Sequence, residues 1–134
     1  MAGCGHLIDF KVKILDENDL VLVSDLRNLG IQKNVALILV YLINVDEATS
    51  REIEIGTNLR QSEISLAIGF MSDNGWVKSR MIKANKHGRH LKAYSLCVSM
   101  DTVYTFYEMK AHRYYEDSFV KINRLKELIR KKEQ

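Results

Sequence analysis

A chain of 134 residues carries one modest hydrophobic core but not two. Its 46% hydrophobic and 28% charged residues are those of an ordinary globular protein, which argues against a disordered or fibrous chain. The longest apolar stretch, Val35 to Val45, falls well short of the ~20 residues of a membrane span, and no signal-peptide pattern opens the sequence. The expectation is therefore a cytoplasmic protein without a membrane partner.

Cys4 and Cys97 are the two cysteines, and neither belongs to a C-x-x-C pair. Such spacing excludes a disulfide framework and a zinc ribbon, leaving free thiols or a redox-sensing pair. The net charge of +3 is small, but its distribution is uneven. Through Asn58 acidic side chains outnumber basic ones, nine to five. From Val77 to Lys92 the chain carries Lys78, Arg80, Lys83, Lys86, Arg89 and Lys92 without a single acid, together with His87 and His90. A local +6 in a nearly neutral protein suits a polyanionic partner; the plainer reading is a solvated hairpin whose lysines prevent edge-to-edge pairing.

No proline punctuates the chain, so glycines, caps and periodicity set the expected boundaries. His6 to Leu15 alternates like a short strand or extended arm. Asp16 or Asn18 opens a first helix through Leu20, Val23 and Leu26 that stops at Gly30. Ile31 to Asn44 is apolar on almost every side, as befits a helix at the centre of a small core. Asp46 to Ala48 connects it to a short helix capped by Thr49 or Ser50, with Ile53 as its core residue and Gly56 to Asn58 as its end. Leu59 and Arg60 lead to a further helix whose buried line is Ile64, Ile68 and Met71, ending at Gly75. Trp76 and Val77 begin a strand reaching Ile82. Lys83 to His90 is a basic turn containing Gly88, and Leu91 to Val98 is the returning strand.

From Asp101, an N-cap candidate, to Lys132 one long helix is predicted. Val103, Phe106, Tyr107, Ala111, Tyr114, Tyr115, Phe119, Ile122, Leu125 and Ile129 recur at steps of three and four. About 30 helical residues extend ~45 Å, too far for one small protomer to cover the whole stripe. A second copy is the expected partner, with Tyr107, Tyr114, Phe119, Ile122, Leu125 and Ile129 as dimerisation residues. The tyrosines are read as packing in preference to a ligand cage, though a small-molecule effector beside them stays open.

The order helix, short helix, turn, helix, basic hairpin resembles the winged helix-turn-helix superfamily, particularly small archaeal and bacterial regulators of the MarR and TrmB groups. The likeness runs from Thr49 to Leu96, with the preceding helix as support, and so covers about half the chain. It is carried by Thr49-Ser50-Arg51-Glu52-Ile53, by Ser62-Glu63-Ile64-Ser65 with Ile68, Met71, Gly75, Trp76 and Val77, and by the tip Lys86-His87-Gly88-Arg89. The fold this implies is mainly α with a small β-hairpin (α+β): an N-terminal arm and helix over 1–30, the winged domain over 31–98 and a dimerisation helix over 99–134. The implied function is sequence-specific binding of double-stranded DNA as a homodimer, regulating transcription.

In such a protein Arg60, Gln61, Ser62, Glu63, Ser65 and Leu66 occupy the recognition helix, whose N-terminal end enters the major groove. Lys83, Lys86, His87, Arg89 and His90 form the wing that meets phosphate. The sequence departs from the pattern where Leu66, Gly69 and Phe70 replace the basic residues frequent in these regulators. Beyond Arg60 the reading helix carries only the acids Glu63 and Asp73. The alternative is thus a winged-helix protein-protein interaction module within a transcription or repair assembly. No nucleophile elbow, phosphate loop, paired-carboxylate site or metal motif is present, so neither catalysis nor a cofactor is expected.

Overall fold

The computed structural model describes residues 12–83 and 88–133. Within them the chain is mainly helical, with a small three-stranded antiparallel sheet and a long C-terminal helix, an α+β architecture. In chain order the elements are α1 (Glu17–Asn28), α2 (Lys33–Asn44), β1 (Ala48–Thr49), α3 (Ser50–Thr57), α4 (Gln61–Asp73), β2 (Val77–Lys83), β3 (His90–Leu96) and α5 (Met100–Glu133). Two compact units divide between Ser99 and Met100. No helix of the described residues is long and apolar enough to cross a membrane.

The first unit is built around α2. Every residue from Val35 to Leu42 is buried, so this helix must be covered on all sides. α1, α3, α4 and β3 supply the cover. Because α1 packs on α2, the helix within residues 1–30 shares this core. Asp16 caps α1: its Oδ1 accepts from Asp19 N–H at 2.9 Å, while Asp19 Oδ2 accepts from Asp16 N–H at 3.0 Å. At the other end Gly30, with φ +99°, donates its N–H to Arg27 C=O at 2.9 Å and turns the chain into α2.

Local chemistry likewise places α3 and α4. Thr49 and Glu52 close a reciprocal capping box at the start of α3, and Asn58 in the left-handed region (φ 61°) stops it. Two residues later Arg60 caps α4, its N–H donating to Glu63 Oε1 at 3.0 Å, so Ser62 lies in the first turn and not at the cap. Ile53, Ile64 and Met71 are fully buried and lock the pair onto α2. Gly75 (φ +75°) ends α4, and Trp76 N–H donates to Met71 C=O at 2.8 Å. Trp76, 2% exposed, meets the Phe70 ring edge-on with centroids 5.5 Å apart.

The sheet runs β1-β3-β2. β2 and β3 pair from Val77 opposite Leu96 to Lys83 opposite His90. β1 adds Ala48 opposite Tyr94 and Thr49 opposite Ala93, a strand where the sequence suggested only a connection. Two residues are too few for any alternation to be legible, and their pairing is set by a partner more than 40 positions away.

In the second unit, α5 begins at Met100, which puts Asp101 inside the first turn and not at the cap. Arg130, Lys131 and Lys132 fill its last turn, where cations suit the helix dipole.

Candidate nucleic-acid interface

α4 presents Ser62, Ser65, Leu66, Gly69 and Asp73 to solvent, opposite its buried line of Ile64, Ala67, Ile68 and Met71. Leu66 is 79% exposed, an apolar side chain with no protein cover. The face is small and short-chained, and it lacks a cation beyond Arg60 at its entrance.

Two of the residues expected to read bases have partners within the protein. Gln61 Nε2 donates to Glu54 Oε1 at 2.9 Å and to Ser50 C=O at 3.3 Å, bracing α4 against α3. The same carboxylate oxygen accepts from Arg51 Nη1 at 3.0 Å. These hydrogen bonds, that of Gln61 first, hold the Glu54 carboxyl below its usual range. Glu63, expected on the reading surface, spends its carboxylate on the Arg60 N–H. Ser62, Ser65 and Leu66 are exposed as expected, and so is Arg60.

The basic hairpin divides by face. Side chains alternate along a strand, and directly opposed residues share a face. Lys83, opposite His90, and Met81, opposite Lys92, therefore lie on one side with Ser79 and Tyr94. Lys78, Arg80 and Ile82 lie on the other with Ser95, Ala93 and Leu91. On that second face Arg80 grips Glu47 through two hydrogen bonds, Nε to Oε2 at 2.9 Å and Nη2 to Oε1 at 2.5 Å. The contact lowers the Glu47 pKa, chiefly by hydrogen bonding, and raises that of Arg80. Among the described residues the cations are thus not one patch: Arg80 is neutralised and Lys78 points away from Lys83 and Lys92.

The first face continues toward α4. Tyr94 lines one small depression with Ser65, Ile64, Ile68, Gln61 and Ser50. From Tyr94, Lys92 and His90 lie two and four residues along the same strand face, about 7 and 13 Å away at ~3.3 Å per residue. Lys83, Arg89 and His90 are exposed. Lys86 and His87 lie outside the described residues, as do Cys4 and His6. Cys97 is exposed, with its Sγ donating to Gly75 C=O at 3.2 Å.

Of the expected dimerisation residues, Tyr114, Phe119, Ile122, Leu125 and Ile129 are exposed. Tyr107, expected with them, is 6% exposed. Its three- and four-residue spacing is indistinguishable in sequence from that of its exposed neighbours.

Sequence reasoning missed Tyr94 as the bridge between strand and helix, and the Arg80–Glu47 and Gln61–Glu54 pairings. Strand alternation alone would have separated Arg80 from Lys83; Glu47, 33 positions distant, leaves no local signal. Among the described residues no group of three or more His, Cys, Asp and Glu is arranged to hold a metal ion. Compared with known proteins, the chain matches no family model and no curated sequence.

Proposed function

We propose that this chain is a winged helix-turn-helix protein that binds double-stranded DNA as a homodimer and regulates transcription. In this reading α3 and α4 are the helix pair, α4 enters the major groove, and the β2–β3 hairpin is the wing. One observation carries it: the exposed Ser65 of α4 and the Tyr94 of β3 share a depression, and the strand face holding Tyr94 runs on through Lys92, His90 and Lys83. The exposed face of α4 thereby adjoins a strand face that carries cations. Ser62, Ser65 and Leu66 are the base-facing residues, the serines as hydrogen-bonding groups and Leu66 as an apolar contact for a thymine methyl. Lys83, Lys92 and Arg89 supply phosphate contacts that release counterions.

The test is fluorescence anisotropy with duplex fragments of the parent genome at about 50 and 200 mM salt. Specific binding should emerge from fragment selection and fall steeply with salt. The slope of log affinity on log salt should become shallower by about one for each phosphate-contacting lysine removed per site. Absence of duplex binding at the lower salt would overturn the proposal.

The cation-poor outer face of α4, with Leu66 79% exposed, favours one second reading: a winged-helix module that docks on another protein of a transcription or repair assembly. That reading expects Leu66→Asp to abolish partner capture while duplex binding stays absent throughout.

A further inference from the structure

The second half of α5 carries a regular seam. Tyr115, Ser118, Ile122, Leu125, Ile129 and Lys132 alternate in steps of three and four, the spacing of a two-stranded coiled coil. Tyr115, Ile122, Leu125 and Ile129 are all exposed, and Ile122, Leu125, Lys126, Ile129, Arg130 and Glu133 outline one shallow depression along the helix. With Tyr114, Phe119 and Leu128 beside it, this stripe offers an apolar area on the order of the ~800 Å² that each partner of a standard interface contributes.

Charge decides both the occupant and its direction. The helix is acidic at Glu116 and Asp117 and basic at Arg130, Lys131 and Lys132. In a parallel, in-register pair the seam-flanking Lys121 of each copy faces Lys126 of the other, and the two basic ends gather together. Like charges oppose that arrangement even though isoleucine and leucine alternate along the seam in the order parallel dimers favour. Reversing one strand removes both conflicts. With the two-fold axis between Ile122 and Leu125, Ile122 meets Leu125 of the second copy, Ser118 meets Ile129, and Tyr115 lies under the Lys132 stem. Lys121 and Lys126 then lay their aliphatic stems over Leu128 and Phe119, and the acidic start of each helix runs alongside the basic end of the other, with Glu116, Asp117, Arg130 and Lys131 on the outer faces.

We infer that the chain self-associates through α5 as an antiparallel helix pair spanning residues 115–132, centred between Ile122 and Leu125. This deepens the homodimer of the proposed regulator, but it requires no DNA and is tested without it.

The experiment is a charge swap read by sedimentation equilibrium on the full chain, with helicity checked by circular dichroism. Glu116→Lys/Asp117→Lys and Arg130→Glu/Lys131→Glu each place like charges at both ends of an antiparallel pair. Each should weaken self-association about threefold at low salt, and an equimolar mixture should recover the wild-type affinity as a heterodimer. In a Cys4→Ser/Cys97→Ser background, a mixture of Ser118→Cys and Ile129→Cys chains should oxidise to a crosslinked heterodimer, while neither alone crosslinks. An Arg130→Glu/Lys131→Glu chain that associates at least as tightly as wild type, or crosslinks of either cysteine chain to itself, would overturn the antiparallel direction. A wild-type chain that stays monomeric would overturn the pairing itself. A dimer that binds no duplex would leave this inference standing and remove only the DNA reading.

Discussion

Gln61 Nε2 lies 2.9 Å from Glu54 Oε1, so the first side chain of α4 is tied back to α3 and shares its acceptor with Arg51. The link braces α4 against α3 beside the turn through Asn58 and engages the Gln61 amide. In the proposed regulator, Gln61→Ala should lower the melting temperature slightly and weaken all duplexes alike, because the helix is less well held. Ser65→Ala and Leu66→Ala should instead relax preference at individual base pairs, each worth about 1–3 kcal/mol of discrimination. Fragment selection with the three variants in parallel checks this, and a new base preference for the Gln61 variant would count against it.

The division of the hairpin gives a second expectation. Lys83→Glu and Lys92→Glu should each make the salt dependence of duplex binding shallower, because both residues lie on the strand face that carries Tyr94. Arg80→Ala, whose guanidinium is held by Glu47 on the other face, should leave that slope unchanged and lower thermal stability modestly. Anisotropy titrations at several salt concentrations separate the two faces.

How much of this was legible in the sequence follows from the range over which each signal acts. Caps and glycine stops are local, so Asp16, Thr49, Asn58 and Gly75 marked helix ends within a residue or two. The buried line Ile64, Ile68, Met71 and the plug Trp76 followed from period and size. Charge was the poorer guide. Counting cations from Val77 to Lys92 makes one patch, whereas the pleat sends alternate residues to opposite faces and tertiary packing brings Glu47 to one of them. α4 suffered similarly: Gln61 and Glu63 look like free polar groups until the neighbouring helix and cap claim them. Tyr107 and Tyr114 share one helical spacing, and only packing distinguishes the buried ring from the exposed one.

Acid should weaken the fold through three carboxylates. Glu47 and Glu54 are held low by hydrogen bonds to Arg80 and Gln61 respectively, and Asp19 chiefly by the backbone N–H of Asp16. A carboxyl whose folded pKa is depressed binds fewer protons in the folded than in the unfolded state near its ordinary pKa. Its stabilisation is therefore complete above the unfolded pKa and is lost as pH falls through the folded one. Melting temperature should be nearly flat from about pH 7 to 5 and then decline. Glu47→Gln should flatten the acid limb of that curve; an unchanged limb would mean that the Arg80 contact contributes little.

Two helical glycines should respond oppositely to the same methyl group. At Gly56, buried in α3, a Cβ would overlap the Tyr41 ring and come within 2.5 Å of the Lys13 carbonyl oxygen. Leu15 N–H also donates to the Gly56 carbonyl at 3.2 Å, so the backbone there is held on two sides. Gly56→Ala should cost about 1–3 kcal/mol, the range for overpacking a tight site, despite alanine's better helix propensity. At Gly69, on the exposed face of α4, a Cβ meets nothing within 4 Å. Gly69→Ala should stabilise the free protein by about 0.5–1 kcal/mol, since the unfolded chain loses backbone freedom and the helix gains a better former. If α4 enters the major groove, that methyl stands one turn beyond Leu66 on the surface nearest the bases. Duplex affinity should then fall even as the melting temperature rises. Thermal denaturation and anisotropy on the same preparation read the two quantities separately, and a Gly69→Ala chain that gained both would show that this face of α4 does not approach DNA closely.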